Sequence, residues 1–281
     1  MKLVTQDYGC GTSSSILDYG IEDVVIVDQK NYEHVFDVDD DLFFIGHDFL
    51  YFLWDSQEKL DRWKSHRHRK AVWCFERIDA IVPMWKQKGE HSLSILKHFV
   101  DEIYVCDEDD AKNYGNWFPQ WGSRIFYDRR DEPITKNRML FSGQAGKPEY
   151  AERTRLLKEI FEDKDLGNSL DIANFARKYT WDTYCSNLLT YSAILNPLGI
   201  LRGFNTRTYE VLYSGRLLLQ QTAGTYENHS KLIDGLPNAI MFTDLADLKS
   251  KLSDFEYVDS TDFYNANNIY SRFKSIGVEI K

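Results

Sequence analysis

At 281 residues the chain can bury one large core or two modest ones, which leaves little room beyond two domains. Hydrophobic residues at 43% and charged residues at 28% fit a globular protein and exclude extended disorder. The net charge of −10 argues against tight, sequence-independent nucleic-acid binding, which needs clustered Lys and Arg. There is no leader-like start and no apolar run of bilayer length, so the chain reads as cytoplasmic, without a membrane span. Cys10, Cys74, Cys106 and Cys185 lie far apart with no Cys-x-x-Cys pair, and Cys74 and Cys106 fall in apolar runs as buried free thiols do.

In chain order, residues 2–5 open as a short strand and run into a loop containing Gly9 and Gly11. Residues 24–28 and 42–46 read as further strands, the first β-branched throughout as in strands covered on both faces. A helix is expected over 53–68, a strand over 71–76, a helix over 91–99 and a strand over 102–107. Residues 116–121 are extended, and 123–136, of mixed charge and no periodicity, reads as a linker. A second series then starts with a strand at 138–143, a Gly-containing loop and a helix over 149–161. The helix expected over 181–191 carries Trp181, Tyr184, Leu188 and Tyr191 on one face. Strand, loop, helix and strand follow over 193–221, with a further strand at 239–242, a helix at 245–252 and a terminal helix over 261–275. Strands alternating with helices, twice over, predict two doubly wound α/β domains facing an interdomain cleft.

Three stretches carry candidate chemistry. Ser142-Gly143, with Lys147, Arg153 and Arg155 beyond it, is a Gly turn after a strand with cations in the next helix, a pattern suited to a diphosphate. Arg207 and Glu210 stand three apart at a helix start, where a carboxylate can accept from two vicinal hydroxyls and a guanidinium can grip phosphate. Glu76-Arg77-Ile78-Asp79 leaves the carboxyl end of a strand, where a general base for an acceptor hydroxyl would sit; Glu76 is the first candidate and Asp79 the second. Residues 58–70 hold six Lys or Arg against two acids, a basic face that includes Arg67 and Arg69. The acidic run 37–41 reads as a solvated turn, and His66, His68, His91 and His98 lack metal-site spacing, so no metal is assigned.

The pattern Asn-x-Arg-x-Tyr-Glu-x-Leu-x-Ser-Gly-x-Leu-Leu-Leu over 205–219 resembles the donor-binding helix of GT-B glycosyltransferases, in particular of spore-maturation glycosyltransferase-like proteins. A weaker likeness is to phage DNA β-glucosyltransferases, in which an Arg precedes the ribose-binding Glu by three residues and an acid-containing turn after Phe holds the proposed base. Phe75-Glu76-Arg77-Ile78-Asp79 stands in that place here.

The resemblance implies a GT-B fold of two Rossmann-like domains, with residues 1–130 binding the acceptor and 137–260 the nucleotide-sugar. A C-terminal helix at 261–281 would pack back on the first domain. It implies a transferase, expected to move a hexose, with Glu76 or Asp79 as base. Gly143, Lys147, Arg153, Arg207 and Glu210 would hold the donor, and Arg67, Arg69 and Arg77 the acceptor. A UDP-sugar is the expected co-substrate and no further cofactor is expected. The acceptor reading leans to a 5-hydroxymethyl pyrimidine in phage-type DNA, with a cell-surface glycan or small molecule as the alternative. A non-catalytic nucleotide-sugar-binding module is the reading of a different class. Sugar, stereochemical outcome and oligomeric state are left open.

Overall fold

Apolar runs that alternate between two faces account for both sheets of the chain, for which a computed structural model describes residues 1–6, 16–27, 32–46, 56–75, 96–173, 180–199, 203–223, 226–253, 256 and 262–281. Two compact units result. One comprises Met1–Gln120 and Ile269–Lys281, the other Trp121–Asn268.

In the first unit, β1 (Lys2–Gln6), β2 (Val24–Val27), β3 (Leu42–Ile45), β4 (Lys70–Cys74), β5 (Glu102–Val105) and β6 (Asn116–Trp117) form a parallel sheet in the order β2-β1-β3-β4-β5-β6. The central β3 is buried at every residue, as is β4 from Ala71 to Cys74, which is why both read as unbroken apolar runs. Helix α1 (Gln57–Ser65) is N-capped by Ser56, whose Oγ accepts from Lys59 N, and lays Trp63 on Phe44 with ring centroids 5.2 Å apart. The C-terminal helix Ile269–Ser275 belongs to this unit and sets Phe273 against Phe43 and Phe118, at 4.8 and 5.4 Å.

In the second unit, β7 (Lys136–Ser142), α2 (Ala151–Glu162), β8 (Leu170–Ala173), α3 (Trp181–Thr190), β9 (Tyr191–Asn196), α4 (Thr206–Tyr213), β10 (Leu217–Gln221), α5 (Glu227–Ile233), β11 (Ala239–Phe242) and α6 (Leu245–Ser253) follow in turn. The sheet is parallel, in the order β11-β10-β9-β7-β8. Leu140, Ile194 and Leu218 face one core layer with α3 and α4, while Phe141, Leu195 and Leu219 face the other with α2 and α6. Neighbours in β7, β9 and β10 serve opposite layers, so at these strands neither face is left to water, whereas β8 leaves Ile172 exposed.

Several elements differ from the sequence reading. The supposed linker carries a helical turn, Ile125–Asp128, and buries Phe126 completely, edge-on to Trp181 and Tyr184. Strand β8 and helix α5 had no clear periodicity, being four and seven residues long. The terminal helix is two helices, Asp262–Asn267 in the second unit and Ile269–Ser275 in the first. Among the described residues no helix is long and apolar enough to cross a membrane.

Arg216, 4% exposed, ties the second unit together. Its guanidinium donates to the carbonyls of Leu189, Arg130, Ser214 and Glu132 at 2.7–3.0 Å, joining the end of α3, the stretch before β7 and the turn after α4. Gly215, at φ 66°, closes that turn in the left-handed region where a side chain is disfavoured. Arg216→Met keeps the bulk but leaves buried carbonyls without donors, so it should cost roughly 3 kcal/mol or more, read from the urea midpoint.

Candidate functional site

In the second sheet the chain leaves β7 towards β8 and leaves β9 towards β10, so the strand order reverses between the neighbours β7 and β9. Open parallel sheets bind ligands beyond the carboxyl ends of the two strands at such a switch point. Here those ends are Ser142-Gly143 and Asn196, with the start of α4 above them.

Two guanidiniums meet at this place. Arg153, from α2, is 7% exposed and donates to Gln144 O at 2.9 Å and Leu198 O at 3.3 Å, with its charge over the rings of Tyr150 and Phe141 at 4.7 and 5.8 Å. Arg207, from α4, lies against Gly143: a Cβ there would sit 3.4 Å from both of its terminal nitrogens. A Cβ on Gly199 would collide with Arg153. Gly199 is therefore the gap that admits Arg153, while at Gly143 a Cβ would make only ordinary contact with Arg207. Burial first, and the charge of Arg207 second, pull the Arg153 pKa down to about 10. Among the described residues neither guanidinium has a carboxylate partner, and Arg207 Nε is buried without any hydrogen-bond acceptor.

The Gly loop works differently from a phosphate cradle of backbone amides. Gly143 N donates to Ala173 O at 3.1 Å and Gly146 N to Thr154 Oγ1 at 2.8 Å, so both amides are already engaged. The helix start is more open. The N-cap residue Asn205 makes no side-chain cap; its Oδ1 instead accepts from Asn196 Nδ2 at 3.2 Å.

Beneath the cations lies a buried amide network that sequence reasoning missed. Asn196 Nδ2 also donates to Thr208 Oγ1 and Gln220 Oε1, at 3.1 and 2.8 Å, and Asn196 Oδ1 accepts from Arg207 at 3.4 Å. Gln221 Oε1 accepts from Leu198 N at 3.0 Å, fixing the chain that passes Arg153. The available signal was polar residues terminating the apolar runs Ala193-Ile194-Leu195 and Leu217-Leu218-Leu219. Glu210, 1% exposed, accepts from the Tyr184 hydroxyl at 2.5 Å. Burial and then the Glu210 charge hold the Tyr184 pKa well above the ordinary phenol value, with Arg207 opposing.

Gly143, Arg153, Arg207 and Glu210 are thus brought together at the β7 and β9 ends. Lys147, the residue before the helical turn Pro148–Tyr150, is exposed. Arg67 is exposed, whereas Arg69 is ion-paired with Glu102, which also accepts from the Tyr104 hydroxyl at 2.6 Å. The rest of that basic face is interleaved with acids: Arg62 meets Glu33 and Asp37 at 3.8 and 3.4 Å, and His68 meets Asp39 at 2.6 Å. Glu76, Arg77 and Asp79 lie outside the described residues.

No protein-family model and no curated protein sequence matches the chain. Solved structures do. HepE of Anabaena in complex with UDP-glucose gives a TM-score of 0.55 at 9% identity, over 98% of this chain and 94% of that one. An α,α-trehalose-phosphate synthase (UDP-forming) from Burkholderia vietnamiensis gives 0.57 at 10% identity, over 95% of this chain and 79% of that one. The fold is GT-B. At such identity the likeness speaks for architecture alone, α/β with two Rossmann-like units. The finer resemblances to spore-maturation and phage enzymes rest on the motif residues.

The paired cations make a ligand-free prediction. Holding Arg153 charged is unfavourable below a pH of about 10 and relaxes only as pH rises through that value. Arg153→Met should therefore leave the melting temperature within a few degrees of wild type, or raise it. Inorganic pyrophosphate at a hundredfold excess over its Kd should stabilise wild type by about 2.7 kcal/mol, and Arg153→Met and Arg207→Met far less. Thermal melts with and without pyrophosphate decide it; no stabilisation of wild type would sink the anion site.

Proposed function

We propose that the protein is a nucleotide-sugar-dependent glycosyltransferase that takes a UDP-sugar, with a hexose as the expected group. The observation that carries the reading is the meeting of the buried guanidinium of Arg153 with the half-buried one of Arg207, neither with a carboxylate partner among the described residues. Two like charges held together, one of them buried, call for an anion, and a nucleoside diphosphate supplies one of matching charge. Support comes also from the fold neighbours, one solved with UDP-glucose and one a UDP-forming synthase.

In this reading Arg153 and Arg207, with Lys147 from the exposed turn, bind the diphosphate. They stabilise the charge that develops on it as the glycosidic bond breaks. Gly199 serves by leaving room for the Arg153 guanidinium, and Gly143 lies against Arg207. Glu210 accepts hydrogen bonds from the ribose hydroxyls. Glu76 or Asp79 takes the proton of the acceptor hydroxyl as that oxygen attacks the anomeric carbon, and UDP leaves. On the acceptor side the reading stops at a hydroxyl. A DNA acceptor requires free cations along its path, and the pairing of Arg69 with Glu102 and of Arg62 with Glu33 and Asp37 lends it no support.

Calorimetric titration with UDP and a UDP-release assay with common UDP-hexoses test this. Arg207→Ala should weaken UDP binding by about tenfold or more. Glu76→Ala or Asp79→Ala, whichever removes the base, should abolish turnover while UDP binds as in wild type. Tight UDP binding with no release from any UDP-hexose would favour the non-catalytic module, and absence of UDP binding would refute the donor site.

A further inference from the structure

Asn205 fills the N-cap position of α4 with one of the side chains best suited to capping, in extended backbone geometry, yet it caps nothing. Its amide is turned to the strand ends instead. Asn205 Oδ1 accepts from Asn196 Nδ2 at 3.2 Å, and Asn205 Nδ2 donates to Asn196 Oδ1 at 3.5 Å. Asn196, 1% exposed, is itself held by Gln220 Oε1 at 2.8 Å, Thr208 Oγ1 at 3.1 Å and Arg207 at 3.4 Å. The first turn of α4 therefore lacks a side-chain cap although a capping residue stands in place. Among the described residues nothing accepts from the amides of Thr206 and Arg207.

A second observation marks the same place. Ser142 is fully buried and its Oγ has no hydrogen-bond partner. It lies two residues beyond Leu140, as Asn196 lies two beyond Ile194, and Leu140 pairs with Ile194 in the layer that α4 covers. Ser142 and Asn196 thus end neighbouring strands with their side chains on the α4 side of the sheet. Arg207 Nε is buried without an acceptor, and the terminal nitrogens of the same side chain lie against Gly143. A hydroxyl, a guanidinium N–H and helix-start amides are all donors, and donors left unpaired in a folded protein are costly unless a ligand takes them up. A phosphoryl group, with several acceptor oxygens and negative charge, suits them and the positive end of the helix.

We infer that one phosphoryl group of the donor is held at the start of α4, by Ser142 Oγ and the amides of Thr206 and Arg207. Asn196 is the positioning residue of this subsite: it keeps the helix start uncapped by drawing Asn205 away from it. The inference rests on the diphosphate reading proposed above. Asn196 acts only through Asn205, and no chemical step passes through either amide.

Calorimetry with pyrophosphate tests both parts. Ser142→Ala should bind it about fivefold or more weakly, one hydrogen bond's worth, yet melt no lower than wild type, because that hydroxyl satisfies nothing in the free protein. Asn196→Leu, close in shape, releases Asn205 to cap α4 and should weaken binding about fivefold. Asn205→Ala has no side chain to cap with and should bind within about twofold of wild type; adding it to Asn196→Leu should restore affinity to that level. A double variant as weak as Asn196→Leu overturns the role of Asn196, since the loss is then structural, and so does full affinity in Asn196→Leu alone. Unchanged affinity in Ser142→Ala overturns the placement at α4 and leaves the diphosphate reading standing on Arg153 and Arg207. No binding of pyrophosphate by wild type overturns both. Should Asn196→Leu not fold, Asn205→Ser takes its place, a side chain that caps but is too short to pair with Asn196; full affinity there also overturns the role of Asn196.

Discussion

A parallel sheet covered on both faces has no room for charge along its strands, and this constraint governs where the second unit places its polar groups. Leu140, Ile194 and Leu218 go to one layer, Phe141, Leu195 and Leu219 to the other, and the buried polar side chains of β7, β9 and β10 come at the carboxyl ends. Ser142, Asn196, Gln220 and Gln221 occupy those ends and are all buried. The hydrogen-bonding needs of the three amides are met mainly by one another and by the loops that cross them, which is how Asn196 and Gln220 come to share Thr208 and how Gln221 holds Leu198. The loops carrying Arg153 and Arg207 thereby rest on a floor that cannot shift without breaking several buried bonds.

On that floor the electrostatics are unbalanced. Where the same unit buries a cation to anchor the chain, at Arg216, it surrounds the guanidinium with four carbonyl acceptors. Arg153 receives two, and Arg207 has one long bond to Asn196 with its Nε unpaired. Among the described residues, fewer hydrogen-bond acceptors face the guanidiniums where β7 and β9 diverge than face the one that anchors the chain. That contrast within one unit gives the proposed diphosphate site its physical warrant, because an arginine that served packing alone would be saturated as Arg216 is.

Much of this was legible in the residues. The strands of both sheets other than β8 followed from the sequence pattern, the Gly143 turn from its place after one of them, and the candidacy of Arg207 and Glu210 from their spacing at a helix start. Less legible were groups that act through partners distant in sequence. Tyr184 presented itself as one member of a core-facing stripe, and nothing in a helical period reveals that its hydroxyl meets Glu210, 26 positions away. Asn196 and Gln220 looked like the ends of strands. Arg216 looked like a charge beginning one. Gly143 invited a reading of exposed amides, whereas its N–H is engaged by the Ala173 carbonyl.

By itself the sequence determined the α/β class, the alternation of strands and helices in two series, and the short list of cations and acids able to serve a nucleotide-sugar. These depend on local periodicity and on side-chain chemistry, which a linear reading contains. Only the tertiary structure decided which of them converge. Arg153 and Arg207 are separated by a strand, a helix and another strand, and they meet because the order of the sheet reverses between β7 and β9. The tertiary structure also assigned the basic residues their partners, pairing Arg69 with Glu102 across neighbouring strands while leaving the two donor-side guanidiniums without a carboxylate among the described residues. Charge is a property of residues, but whether it is neutralised is a property of neighbours, and neighbours are set by the register of the sheet.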